Sequence, residues 1–140
     1  MRPSRFVIVL LAVAAAVVID LLIYLVGGAA GASFRFPGAD GAVIPWIVVA
    51  IFSAVPLGLA LAAVALLAPR WRWVIPAALV AAPVLALVSI PLLPMAVGFD
   101  ATTTAALASM HIATGVFAVL GVLGIRRAVG ASEPVPAGGR

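Results

Sequence analysis

Residues 6–26 read FVIVLLAVAAAVVIDLLIYLV, an apolar run that is interrupted by a single charged side chain, Asp20. At a rise of about 1.5 Å per residue, a helix of this length matches the ~30 Å hydrocarbon core of a bilayer. A carboxylate is costly to remove from water, so the Asp20 side chain is expected to face other helices and not lipid. The rest of the chain is therefore predicted to supply partners for this group.

The composition excludes an ordinary soluble domain. Of the 140 residues, 66% are hydrophobic and 9% are charged, which is too little polar surface to cover a core in water. The net charge of +4 does not indicate nucleic acid binding, because the arginines lie between apolar runs and not on one face. The chain has no cysteine, which excludes disulfides and thiolate chemistry. The expected surroundings are a lipid bilayer.

Four apolar segments are long enough to cross that bilayer as helices: residues 6–26, 44–67, 74–97 and 103–125. Barrel strands are a poor alternative, since these segments are rich in Ala and Leu and exceed the ~10 alternating residues of such a strand. The sequence predicts an all-α, integral membrane four-helix bundle with up-down-up-down topology over residues 1–127. Residues 128–140, rich in Gly, Pro and Ala, are predicted to be a disordered cytoplasmic tail.

The arginines predict the orientation of the bundle. Seven of the eight lie before the first segment, between the second and third, or after the fourth, and Arg35 is the exception. The positive-inside rule makes that side cytoplasmic, so both termini are expected inside a bacterial inner (plasma) membrane. The alternative is a signal peptide cleaved after Ala30-Gly31-Ala32. Because the apolar run is too long for that and contains Asp20, we expect the first helix to be retained.

The loops and prolines give further expectations. The alternation of Phe34 and Phe36 permits a short extended piece or an interfacial lid, but we expect this loop to rest its aromatic rings on lipid headgroups. Pro91 and Pro94 are expected to unwind the outer end of the third helix. A very tight turn joins helices two and three, which predicts that they are antiparallel neighbours. Asp100, with residues 102–104, is expected to cap helix four.

Depth along the helices brings several polar residues to one level. Asp20 lies ~9 Å and His111 ~12 Å from the outer ends of helices one and four, while Ser53 and Ser89 lie at ~12–14 Å. Helices one and four are neighbours in the predicted bundle, so we expect an Asp20–His111 hydrogen bond or ion pair. This candidate buried polar site comprises Asp20, Tyr24, Ser53, Ser89, Ser109, His111 and Thr114. It is either a structural pair that fixes helix register or a proton-responsive or ligand-binding site.

Catalytic and cofactor chemistry have little support. One histidine and one carboxylate fall short of the three or four ligands of a metal site. The serines lie in helices without a nucleophile elbow, and the glycines near Gly27 lie between membrane segments, the wrong context for a phosphate loop. We therefore expect no enzyme activity, no metal and no cofactor.

Three short motifs carry a family resemblance: Asp20-Leu-Leu-Ile-Tyr24, the loop Phe34-Arg-Phe-Pro37, and Ala106-Leu-Ala-Ser-Met-His111. Together they resemble domain-of-unknown-function family 6069, small four-span bacterial membrane proteins, over essentially the whole chain. The resemblance implies that Asp20 and His111 are polar positions of the family, and it implies the architecture without an activity. The expected function is a non-enzymatic structural or accessory membrane protein, with a membrane-protein partner or a second copy as the possible contact. The alternative is a small transporter, channel or sensor that uses Asp20 and His111.

Overall fold

A computed structural model describes residues 4–38 and 41–130, and for residues 92–97 it describes the helical backbone. Four helices account for most of it: α1 (Arg5–Ala29), α2 (Trp46–Leu67), α3 (Val74–Val97) and α4 (Ala101–Gly130). Each is long and apolar enough to cross a membrane, so the predicted four-helix fold is confirmed. Helix α4 continues past its predicted end to Gly130. The predicted tail lies outside the described residues from position 131 onward, as do Arg2 and Asp40.

The helix boundaries follow local chemistry, but Pro91 and Pro94 do not unwind the end of α3 as expected. Ser4 caps α1, because its Oγ accepts the Val7 N–H at 3.3 Å. Helix α3 runs through Pro91 and Pro94 to Val97, so the predicted unwinding is wrong. A proline removes one backbone donor, whereas an unwound turn in lipid would leave several backbone groups without partners.

Helices α1 and α4 form the centre of the bundle. Helix α1 packs against α2 and α4, and α4 packs in addition against α3, so the predicted contact of the first and last helices is confirmed. Helices α2 and α3 share few contacts despite the tight turn between them, which corrects the expectation that they pack as neighbours. Helix α3 is therefore attached mainly through α4.

Two apolar clusters fill the interior at different levels. The arginine end of the bundle carries Arg5, Arg70, Arg72, Arg126 and Arg127, and the lid end carries the α1–α2 loop and Asp100. The first cluster, toward the arginine end, has contributions from all four helices. The second, at the lid end, is built by α1, α2, α4 and loop residues, with no described residue of α3. On α1, α2 and α4, a polar residue lies between the contributions of that helix to the two clusters: Asp20, Ser53 and Thr114.

Candidate functional site

Asp20 is the centre of the polar layer. Its side chain is fully buried, and its Oδ2 accepts a hydrogen bond from Ser53 Oγ of α2 at 2.5 Å and from Thr114 Oγ1 of α4 at 2.9 Å. Three helices therefore meet at one carboxyl oxygen. The other oxygen, Oδ1, is buried and has no hydrogen-bond partner among the described residues. A buried carboxyl with one bare oxygen is costly, so this arrangement requires a reason.

The expected hydrogen bond between Asp20 and His111 is not formed. The His111 Nδ1–H donates instead to the Leu107 carbonyl oxygen of its own helix, at 2.8 Å. Matched depth predicted the level of these residues but not their direction around the helix axis. Thr114, one turn farther along α4, points its hydroxyl at Asp20, and His111 lies half-buried beside it. The predicted pair is wrong, and hydroxyls take the place of the imidazole.

The other predicted site residues bind elsewhere. Ser89 Oγ donates to the Ala86 carbonyl and Ser109 Oγ to the Ala105 carbonyl, each within its own helix. Tyr24 Oη donates to the Ile44 carbonyl at the base of the loop, at 2.9 Å. Of the seven residues in the predicted polar site, the structure hydrogen-bonds three to one another: Asp20, Ser53 and Thr114.

Phe34 closes the lid end above Asp20. The lid loop, residues 30–45, carries an isolated bridge between Arg35 and Val43, which matches the extended piece considered from sequence. The Phe34 ring is buried and stacks on Tyr24 with centroids 4.4 Å apart. The expectation that both loop aromatics rest on headgroups is thus wrong for Phe34, because the bundle offers it an apolar slot. Gly27 and Ala106 leave that slot open: a Cβ on Gly27 would lie 3.1 Å from the ring.

The backbone of Phe34 is strained. Its φ is +47°, in the left-handed region that side chains rarely adopt. Hydrogen bonds hold it there, since the Phe34 N–H donates to Thr103 Oγ1 at 3.0 Å and the Ile44 N–H donates to the Phe34 carbonyl at 2.7 Å. Strain of this kind persists only where the surroundings fix the conformation. The lid loop is therefore a built closure of the bundle.

Asp100 ties the lid loop to α4. Its Oδ1 accepts the Thr103 N–H at 2.8 Å, which confirms the predicted helix cap, and its Oδ2 accepts both Ser33 Oγ and Thr103 Oγ1 at 2.6 Å. The Ser33 and Thr103 hydrogen bonds hold the pKa of the Asp100 carboxyl well below its usual range. The carboxylate is thus charged at neutral pH. Its hydrogen bonds stabilise the fold there, and this stabilisation is lost as the pH falls through the usual range of a carboxyl pKa toward the lowered pKa of Asp100. Sequence reasoning missed the Ser33 link, because Ser33 and Asp100 are far apart in the chain.

The cavity that borders α3 and α4 does not reach this site. It has a volume of about 300 Å³, and neither Asp20 nor His111 lines it. In the described part of the chain, no group of three or more His, Cys, Asp or Glu side chains is placed to hold a metal ion. What the geometry supports at Asp20 is a carboxyl that joins three helices.

The fold and this polar layer define the class: a small multi-pass α-helical membrane protein in which the buried carboxyl of Asp20 joins three helices. Residues 1–128 match the model of a family of unknown function (DUF6069), and the chain belongs to that family. This confirms the family resemblance that the three sequence motifs carry. Neither the curated proteins nor the solved structures include a match to the chain.

Proposed function

We propose that the protein is a non-enzymatic structural or accessory protein of the bacterial inner membrane, with both termini in the cytoplasm. One observation carries the proposal: Asp20 is enclosed between two apolar clusters and is bound by hydroxyls of two other helices. A carboxyl held in this way fixes the register of α1, α2 and α4. The proposed orientation is supported by the arginines, since five of the six in the described residues lie at one end.

The second candidate is a small carrier, channel or sensor. The observation that favours it is the bare Oδ1 of Asp20, a buried oxygen that a proton or a small ligand could occupy. Against it, the Phe34 ring and the lid-end cluster lie between Asp20 and the loop surface. Under this alternative the lid loop would have to move during each cycle.

Ion flux separates the two candidates. Purified protein is reconstituted into vesicles that contain a pH-sensitive dye, and a membrane potential is applied. We expect a proton leak equal to that of protein-free vesicles, for both the natural chain and Asp20→Asn, because Asp20 is buried between two apolar clusters. A leak above that of empty vesicles that disappears in Asp20→Asn would overturn the structural proposal and favour the carrier.

A stability measurement on the same preparations checks the structural role of the polar layer. The double variant Ser53→Ala/Thr114→Val removes both hydrogen-bond donors to Asp20. Because an interhelical hydrogen bond in a membrane contributes about 0.6–1.7 kcal/mol, the loss of two is expected to lower the free energy of unfolding by about 1–3 kcal/mol. Ser109→Ala is the matched control, since that hydroxyl is exposed and binds its own helix, and should change stability by less than about 0.5 kcal/mol. Equal losses of stability in the double variant and in Ser109→Ala would show that the polar layer does not stabilise the bundle.

We further propose that a membrane-protein partner or a second copy of the chain binds α3. Helix α3 is held mainly by one neighbour, and Val84, Leu85 and Val88 lie on the side of the helix away from Ala86, which faces α4. In a membrane, packing of this kind depends on close contact between helices and not on exclusion of water. The exposed side of α3 is therefore the surface with most room for a partner helix.

Photo-crosslinking from two matched positions tests this surface. Val88 of α3 and Leu22 of α1 are 55% and 51% exposed, and each lies about 10–14 Å from the lid end of its helix. A benzophenone side chain at position 88 is expected to crosslink to another membrane protein or to a second copy in native membranes. The same group at position 22 is expected to label lipid alone. Protein crosslinks of equal yield from both positions would contradict an α3 interface.

A further inference from the structure

An apolar groove runs between α3 and α4. Its volume is about 300 Å³, and its walls are almost entirely apolar. The principal lining residues are Ala86, Leu87, Ile112, Val116, Val119 and Leu120. Leu87, Ile112, Val116 and Leu120 are each more than half exposed, so the groove opens to the outside of the bundle, where the lipid lies.

The groove results from a close approach of the two helices. A Cβ on Gly115 would lie 2.8 Å from the Ala86 Cβ, so the backbones of α4 and α3 nearly touch at this point. Larger side chains flank the contact on one side, and α2 packs little against α3. The space beside the contact therefore stays open along part of both helices.

The same face of α4 leads from the groove to two arginines. Arg126 and Arg127 follow Val119 and Leu120 by seven residues, which is two helical turns and about 10 Å along the axis. They therefore lie on the groove side of α4, nearer to the arginine end. Arg70 and Arg72 lie in the turn before α3, and Val74 and Ile125 are buried in one cluster, which brings these two helix ends together.

Among the residues that the structure describes, no acidic side chain lies at the arginine end of the bundle beside these four arginines. Arg70, Arg72, Arg126 and Arg127 are all exposed. The two acidic residues among the described residues lie elsewhere, Asp20 buried in the polar layer and Asp100 at the lid end. Exposed arginines beside an apolar groove at the membrane surface are complementary to a phosphate attached to a hydrocarbon chain.

We propose that the α3–α4 groove binds one molecule of an anionic phospholipid. Its phosphate lies among the arginines at the arginine end, and one acyl chain follows α4 into the groove. From Arg126 to Ile112 is 14 residues, or about 21 Å along the helix, and the groove begins about 10 Å from the arginines. One leaflet is about 15 Å of hydrocarbon, so a chain of ordinary length reaches well into the groove.

Native mass spectrometry tests the site. The full chain is reconstituted into vesicles with equal amounts of phosphatidylglycerol and phosphatidylcholine, released, and its retained lipids are counted. We expect one retained phosphatidylglycerol per chain. The double variant Arg126→Gln/Arg127→Gln is expected to reduce that bound fraction about tenfold or more, because each arginine contributes to holding the headgroup. Arg35→Gln, at the opposite end of the bundle, should leave it unchanged.

A second variant tests the groove separately from the charges. Val116→Trp places a large ring in the groove and is expected to reduce the retained phosphatidylglycerol severalfold. Leu10→Trp, on the exposed face of α1, is the matched control and should retain it. Circular dichroism and thermal melting confirm that each variant is folded before lipids are counted. The proposal would be overturned if the natural chain retained phosphatidylglycerol and phosphatidylcholine equally. It would also be overturned if neither Arg126→Gln/Arg127→Gln nor Val116→Trp reduced the retained phosphatidylglycerol.

Discussion

Replacing Phe34 with alanine is expected to lower the free energy of unfolding by about 3–5 kcal/mol, the usual cost of truncating a buried aromatic ring. The ring is 3% exposed, stacks on Tyr24 and fills the space left by Gly27. Alanine would leave a cavity there and keep the strained backbone, since it also disfavours a φ of +47°. The measurement is reversible unfolding of the purified protein in bicelles.

Phe36→Ala is the matched control for this prediction. Phe36 is on the same loop but half exposed, and its ring meets only the edge of the bundle, 5.4 Å from the Phe99 ring. Its loss is expected to cost less than about 1 kcal/mol. Because the chain has no cysteine, a single Val49→Cys reports on water access to the lid-end cluster. A water-soluble maleimide should label this cysteine when Phe34→Ala is also present, and not when Phe36→Ala is present. Equal labelling in the two backgrounds would show that Phe34 does not keep water out of the lid-end cluster.

Gly121→Leu is expected to have the second large effect, a loss of about 3 kcal/mol or more through overpacking. A Cβ at Gly121 would lie 2.7 Å from a methyl of Leu61 and 3.4 Å from the Ala12 Cβ, so α1, α2 and α4 approach one another closely at Gly121. Leu61 is almost fully buried, so its methyls would have to move against other packed side chains. Thermal unfolding of the variant in detergent measures the loss.

Gly28→Leu is the control for that substitution. No atom lies within 4 Å of a Cβ built on Gly28, so a side chain there points into lipid or headgroups and should change stability by less than about 0.5 kcal/mol. Leu61→Ala and Gly121→Ala together should cost less than the sum of the two single substitutions, since Leu61→Ala removes the methyls that clash with a Cβ at position 121. If the two substitutions are simply additive, Gly121 does not act through Leu61.

The sequence predicts the helices well because lipid imposes a simple requirement. A helix must be long enough to cross the bilayer and must pair its own backbone groups, and residues 44–67 and 74–97 show this pattern without ambiguity. The same requirement explains why the helix continues through Pro91 and Pro94. The level of the polar layer could also be predicted, since depth follows from counting residues along a helix of fixed rise.

Direction around the helix axis could not be predicted in the same way. Thr114 and His111 lie one turn apart, and a small rotation of α4 decides which of them faces Asp20. The hydroxyl is favoured because it is short and fits between packed helices, while the imidazole finds a carbonyl on its own helix. The contacts of the lid loop could not be predicted either. The Ser33–Asp100 and Phe34–Thr103 hydrogen bonds join residues more than 60 positions apart, and no local sequence pattern indicates them.

The pairing of the first helix with the last has a consequence for biosynthesis. Ser53 emerges from the ribosome soon after Asp20, so the nascent α1–α2 hairpin already carries one donor for the carboxyl. Thr114 is translated much later, 94 residues after Asp20. The chain must therefore wait in the membrane as a partly assembled hairpin, and a ribosome that stalls before α4 would leave α1 without its largest neighbour.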